Sequence, residues 1–304
     1  MIITRVLGRR NKMRIIIIFL YSLLFLGCRQ PFQAEEKQVK RVALVIGNQH
    51  YVDNELENPI SDAQGIAKTL ESIGFDVLLK LDITLAQLNR ALERLKKRIE
   101  ANNTIVFIYF AGHGNTLKKG SSEEYLMMTD KRKKVLVSIY KFYDFLTKAN
   151  ARHNIIVIDA CRDYQKHYTA MEEKENREVL KNFRGNFRTV NIRYDDGIQQ
   201  DELVVLDKEY SYRLPKSTIV SYATMFHQKA KDWSIHNEHH SPYSYALMHY
   251  LDDEEIPIEE VFRRVRSSLL KETNREQSNL EETNLEKNIW LVPKRAEIAV
   301  APAL

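Results

Sequence analysis

The chain holds only two cysteines in 304 residues, Cys28 and Cys161, and that scarcity excludes a fold stapled by disulfides. Ten glycines and seven prolines are too few for a collagen-like or low-complexity chain. Surplus charge is slight: 46 basic residues face 41 acidic ones, for a formal net charge of +5. No basic run is interleaved with aromatic residues, so no nucleic-acid partner is expected. What is present, 44% hydrophobic and 29% charged residues, suffices for one large domain or two modest ones with a real core.

Arg5, Arg9, Arg10, Lys12 and Arg14 precede an apolar run from Ile15 to Gly27. Those thirteen residues fall short of the roughly 20 that a membrane-spanning helix needs. The pattern is that of a signal peptide's basic and apolar regions. Phe25-Leu26-Gly27-Cys28 is similar to a bacterial lipobox, where the cysteine is acylated and the chain is cut just before it. Residues 1–28 are therefore expected to be an export signal ending in a lipidation site at Cys28, and 29–40 a tether. The expected protein is exported and membrane-anchored, a bacterial lipoprotein facing the periplasm or the cell surface. A plain N-terminal anchor and a cleaved signal are the alternatives.

Downstream, short apolar runs alternate with stretches of helical spacing. Residues 41–48, 104–110 and 154–160 read as strands buried on both faces, and 75–79 and 217–223 as further strands. The spacing predicts helices over 62–72, closed by Gly74, from Thr84 through Ile99, and over 138–149, 243–251 and 258–272. A small hairpin is expected near 124–128. Residues 163–215 break the alternation and read as a long charged connection, with a hairpin near 203–206. This is an α/β pattern: a mostly parallel central sheet with helices on both faces.

Two residues of catalytic type stand at the ends of predicted strands. His113 follows the run 104–110, and Cys161 follows 154–160. Parallel strands would bring both to one edge, where open α/β sheets place their ligands. A thiol needs a neighbouring base to be nucleophilic near neutral pH, and an imidazole supplies one. Singly, such a cysteine is more often an inert core residue and such a histidine a turn residue. Together, 48 positions apart at two strand ends, they read as a pair.

Tyr109-Phe110-Ala111-Gly112-His113-Gly114 and Asp159-Ala160-Cys161-Arg162-Asp163 resemble the motifs of caspase-like peptidases of the metacaspase and orthocaspase type. Further points of similarity run from about Arg41 to Gln277. They include Gly47-Asn48, Ser61-Asp62-Ala63, Ser221-Tyr222-Ala223-Thr224, Ser241-Pro242-Tyr243, and Thr273 with Gln277. The resemblance implies a caspase-like three-layer sandwich and a cysteine endopeptidase with a Cys161–His113 dyad, and Gly114 and Cys161 as backbone donors to the oxyanion. It divides the chain into a large-subunit-like part (41–162), a linker (163–215), a small-subunit-like part (216–292) and a tail (293–304).

True caspases carry Gln where Asp159 stands. An acid there repels an aspartate side chain and attracts Arg or Lys. Asp62 matches a second pocket carboxylate of metacaspases, although by spacing alone it also reads as a helix N-cap. Ala111 replaces the serine that metacaspases place two before the histidine. Cleavage of protein or peptide substrates after Arg or Lys is the resulting expectation, with no cofactor. The linker holds Lys166, Lys174, Arg177, Lys181, Arg184, Arg188, Arg193 and Lys208, so self-cleavage there stands beside an uncut surface loop. His236, His239 and His240 could form a metal site, but they lie in a polar loop without helical spacing. Outside peptidase chemistry, the alternatives are a non-catalytic caspase-fold interaction module and a related cysteine hydrolase or transpeptidase.

Overall fold

The computed structural model describes residues 38–52, 54–116, 124–130, 134–162, 169–171, 188–193, 200–206, 213–226 and 228–292. The expected export signal with Cys28, most of the tether and the tail lie outside these residues. So do Lys166, Lys174, Arg177, Lys181, Arg184 and Lys208 of the connection. Among the described residues no helix is long and apolar enough to cross a membrane.

The elements run β1 (Lys40–Gly47), α1 (Pro59–Ser72), β2 (Asp76–Leu81), α2 (Leu85–Lys96), β3 (Thr104–Ala111), β4 (Gly114–Asn115), β5 (Tyr125–Met128) and β6 (Lys134–Ser138). Then come α3 (Tyr140–Ala149), β7 (His153–Asp159), β8 (Thr169–Met171), β9 (Arg188–Arg193), β10 (Gln200–Leu206), β11 (Thr218–Tyr222), α4 (Pro242–Tyr250), α5 (Ile258–Glu272) and β12 (Leu280–Thr283). The main sheet has the order β12-β11-β7-β3-β1-β2, parallel except for β12.

The buried runs of the sequence become its central strands because each strand feeds two cores. Val42, Leu44 and Ile46 of β1 pack on one face, with Leu88 and Leu92 of α2 and Phe142 of α3. Ala43 and Val45 point to the other, among Ile66 of α1, Leu247 of α4 and Phe262 of α5. The alternation is that of a pleated strand covered on both sides, and it gives the three layers expected.

Helix boundaries depart from the expected ones at α1 and α3, and α2 ends at Lys96 rather than Ile99. α1 begins at Pro59, behind Asn58, so Asp62 sits inside the first turn and caps nothing. Proline at the first helical position loses no hydrogen bond there, and it starts the helix earlier than the apolar spacing shows. Ser138 ends β6 rather than starting a helix, and α3 runs from Tyr140 to Ala149, closed by Asn150 at φ 50°. Thr84 does cap α2, in a reciprocal pair with Gln87.

The connection 163–215 is the larger correction. It contributes three strands to a second sheet of order β4-β5-β6-β10-β9-β8. The hairpin expected near 203–206 is the β9–β10 pair, and β10 also runs parallel to β6. β9 reads RTVNIR, too polar to announce itself as a strand.

Candidate active site

All parallel strands of the main sheet end at one rim. Gly47 pairs with Ala111, and Ala111 with Asp159. His113 and Cys161 each lie two residues beyond that last pair, on strands about 4.8 Å apart. The loop after β1 reaches the same rim. One cleft collects these ends, lined among others by Asp62, His113, Asp159, Cys161, Asp232 and Ser241.

Backbone geometry forces glycine beside the histidine. Gly112 has φ of 153°, and a Cβ there would meet the Tyr51 hydroxyl at 2.5 Å. A Cβ on Gly114 would lie 2.6 Å from the Cys161 carbonyl oxygen and 2.8 Å from the Ala160 Cβ. The turn carrying His113 is thus in direct contact with the turn carrying Cys161. Met127 donates its N–H to the His113 carbonyl, and the next residue, Gly114, pairs with Leu126 at the start of the β4–β5 ladder.

His113 is held on three sides. Its N–H donates to the Tyr51 hydroxyl at 3.1 Å, and the Tyr51 ring packs on its imidazole at a centroid distance of 4.6 Å. Its Nε2 lies 2.6 Å from the backbone carbonyl of Asn54. A carbonyl only accepts, so Nε2 carries the proton and the neutral ring keeps its lone pair on Nδ1. Asn54 is itself in the left-handed region, φ 58°, a conformation that asparagine tolerates best after glycine. Burial lowers the His113 pKa from its ordinary 6.5, against the raising influence of the Asn54 carbonyl. The imidazole is therefore neutral near pH 7 and able to accept a proton. Cys161 Sγ lies 3.9 Å from the Ala230 carbonyl oxygen.

The cleft floor is acidic. Asp159 is buried, and its Oδ2 accepts from the Ser241 and Ser244 hydroxyls at 2.5 and 2.6 Å. Ser241 also caps α4, accepting the Ser244 N–H. Asp62, 1% exposed, accepts from the Ser241 N–H at 3.1 Å and contacts His240 Nδ1 at 2.9 Å. Burial raises the pKa of both acids, and for Asp159 the nearby Asp62 raises it further through like charge, to about 7. Asp62 is raised well above its usual range, again chiefly by burial. Asp232 adds a third carboxylate, oriented by the Glu57 N–H at 2.7 Å. Among the described residues no cluster of His, Cys, Asp and Glu is placed to hold a metal ion. His240 instead faces Asp62, and His236 stacks on Tyr245.

The structure thus brings together His113, Gly114, Cys161, Asp62 and Asp159. Three participants escaped the sequence reading. Asp232 sits in a charged stretch, Lys231-Asp232-Trp233, with no spacing to mark it. Asn54 contributes a main-chain group, which every residue has. Arg162 looked like a motif letter, yet it is fully buried against Glu124, with Nε 3.1 Å from Oε2 and both side chains at 0% exposure. Its guanidinium lies between the Tyr222 and Phe226 rings, 3.8 and 3.9 Å from their centroids.

That pair anchors the turn just after Cys161, and burial pushes the Glu124 carboxyl up to about 8. Arg162→Met is expected to destabilise the fold by about 1–3 kcal/mol, because it leaves the buried Glu124 carboxyl without its partner. The double variant with Glu124→Leu should recover most of the loss, as read by urea unfolding. A single variant as stable as the parent would show that the pair holds nothing.

The caspase domain family model matches residues 40–289. A comparison with curated sequences gives no match. Among solved structures, caspase-1 from Spodoptera frugiperda is similar with a TM-score of 0.57 at 13% identity, over 86% of this chain and 93% of that one. The Drosophila initiator caspase Dronc gives 0.54 at 13% identity, over 83% and 82%. A family match spanning most of the folded chain, on a mostly parallel sheet in a fold similar to solved caspases, places this protein in the caspase domain family as a cysteine-type endopeptidase.

Proposed function

We propose that the protein cleaves peptide bonds after Arg or Lys, with Cys161 as nucleophile and His113 as its base and acid. The observation that carries this reading is a single cleft lined by a thiol and an imidazole from adjoining strand ends, with three carboxylates beside them. The acids sit where a long cationic side chain would enter and where an aspartate would be repelled. Asp62, Asp159 and Asp232 are read as the wall of the pocket for the residue before the cut.

In this mechanism His113 Nδ1 takes the proton of the Cys161 thiol as Sγ attacks the peptide carbonyl carbon. The N–H groups of Gly114 and Cys161 receive the oxyanion. The imidazolium then protonates the departing amine as the C–N bond breaks. Water, deprotonated by the same imidazole, attacks the thioester and returns the thiol. The Asn54 carbonyl keeps the ring in the one tautomer that leaves Nδ1 free for this traffic.

A positional-scanning peptide library, run on residues 29–304, tests the reading. Arg or Lys is expected at the position before the cut and Asp is expected to be refused. Cleavage of Asp peptides with none of basic ones would overturn the pocket assignment. No cleavage of any peptide would favour an interaction module instead.

We propose further that the chain is exported and tethered through Cys28. In a bacterial host, labelled palmitate is expected to enter the parent protein and not Cys28→Ala. Equal labelling of both, or of neither, removes the lipoprotein reading.

A further inference from the structure

We infer that the groove between the outer edge of β2 and helix α2 docks an extended acidic segment of a protein substrate. The inference builds on the peptidase reading, but it concerns a surface outside the cleft. β2 is the last strand of the main sheet, paired with β1 alone among the described strands. Beside its free edge lies a cavity of about 350 Å³. Leu81, Ile83 and Ala91 supply apolar lining, and Lys80, Arg90 and Arg94 supply charge. Ile83 and Ala91 are buried, whereas both arginines are exposed.

The three cations are unbalanced. Among the described residues, none of them pairs with a carboxylate, although the same segment does pair Arg98 with Asp76 at 2.7 Å. Arg90 and Arg94 stand four apart on α2, a like-charge spacing that works against the helix. One lysine on an edge strand is an ordinary guard against stray pairing. Two further cations on the facing helix, around an apolar lining, exceed that need.

A strand edge offers unpaired N–H and C=O groups to a second strand, and alternate side chains of that strand face opposite ways. Apolar lining with cations above it therefore suits a segment alternating acidic and apolar residues. The groove also opens at the catalytic rim. Leu81 is in register with Gly47, and Gly47 with Ala111, so it lies two strand spacings, about 10 Å, from the strand that ends before His113. The acidic cleft and the basic groove demand opposite charges. One substrate meets both if a basic residue at the cut is accompanied by an acidic stretch nearby.

The test uses the Cys161→Ala protein, which binds without turnover, and a fluorescein-labelled peptide of about nine residues alternating Glu and Val. Saturable binding is expected by anisotropy. Replacing every Glu with Gln, or introducing Arg90→Glu with Arg94→Glu, should each weaken it by at least ~10-fold. With Cys161 intact, the same double variant should hydrolyse short Arg-ending peptides like the parent. It should lose ~10-fold in kcat/KM on a protein substrate that carries the acidic stretch. Equal affinity of the Glu and Gln peptides, or unchanged affinity in the double variant, would overturn the inference. Binding to phosphatidylglycerol vesicles with none to the peptide would also overturn it. Because the binding arm involves no catalysis, it stands or falls independently of the proposed reaction.

Discussion

Cys161→Ala is expected to lower kcat/KM on Arg-ending peptides by at least ~10³-fold, with an unchanged melting temperature. Nothing else in the cleft can form the acyl bond, so what survives is binding and oxyanion stabilisation alone. The thiol's contact with the Ala230 carbonyl, at 3.9 Å, is too weak for its loss to disturb the fold. His113→Ala should cost at least ~10²-fold, the usual contribution of a positioned acid–base group. The double variant should be no worse than Cys161→Ala, because a base has no task without its nucleophile. Turnover by the alanine protein within about tenfold of the parent would sink the nucleophile assignment.

Asp159→Asn is expected to cost ~10²-fold in kcat/KM on basic peptides, and its stability profile should separate charge from structure. The carboxyl is buried and its pKa stands at about 7 against an ordinary 3.8. Between those two values the folded empty enzyme keeps a proton that the unfolded chain has lost. Stability therefore falls as pH rises through that window, and above it the destabilisation is fully present. Asparagine mimics the protonated acid, so the variant should fold at least as well near pH 7 and lose the slope. An incoming Arg or Lys reverses the balance, because it favours the charged carboxylate and binding expels the proton. KM for basic peptides should accordingly fall as pH climbs towards and through 7 in the parent and stay flatter in the variant. Equal KM profiles in the two proteins, or equal kcat/KM, would show that Asp159 does not read the cation.

Much of this site was legible because its chemistry sits at strand ends. Runs such as 104–110 and 154–160 are apolar on both faces, and such runs imply central parallel strands whose ends share one edge. Once that edge is inferred, His113 and Cys161 must be neighbours. The register of Ala111 with Asp159 sets the two strand ends side by side. Asp62 was found by resemblance, although the helix start was misjudged, because proline begins a helix without an apolar signature. Asp232 comes from a segment after β11 that folds back over the cleft, and no periodicity reports such a return. The second sheet stayed hidden because β9, RTVNIR, is a short run with only two apolar residues inside a charged connection.

The group that orients His113 is the main-chain carbonyl of Asn54, in a segment that Asp82 fastens at its start by accepting the Gln49 and His50 N–H groups. Mutational tolerance there should be lopsided. Exchanges at position 54 that keep the left-handed backbone, glycine and aspartate first, leave the oxygen in place, whereas β-branched residues strain it. Deleting or inserting one residue between positions 51 and 56 would swing that oxygen away from the imidazole whatever side chains the segment carries.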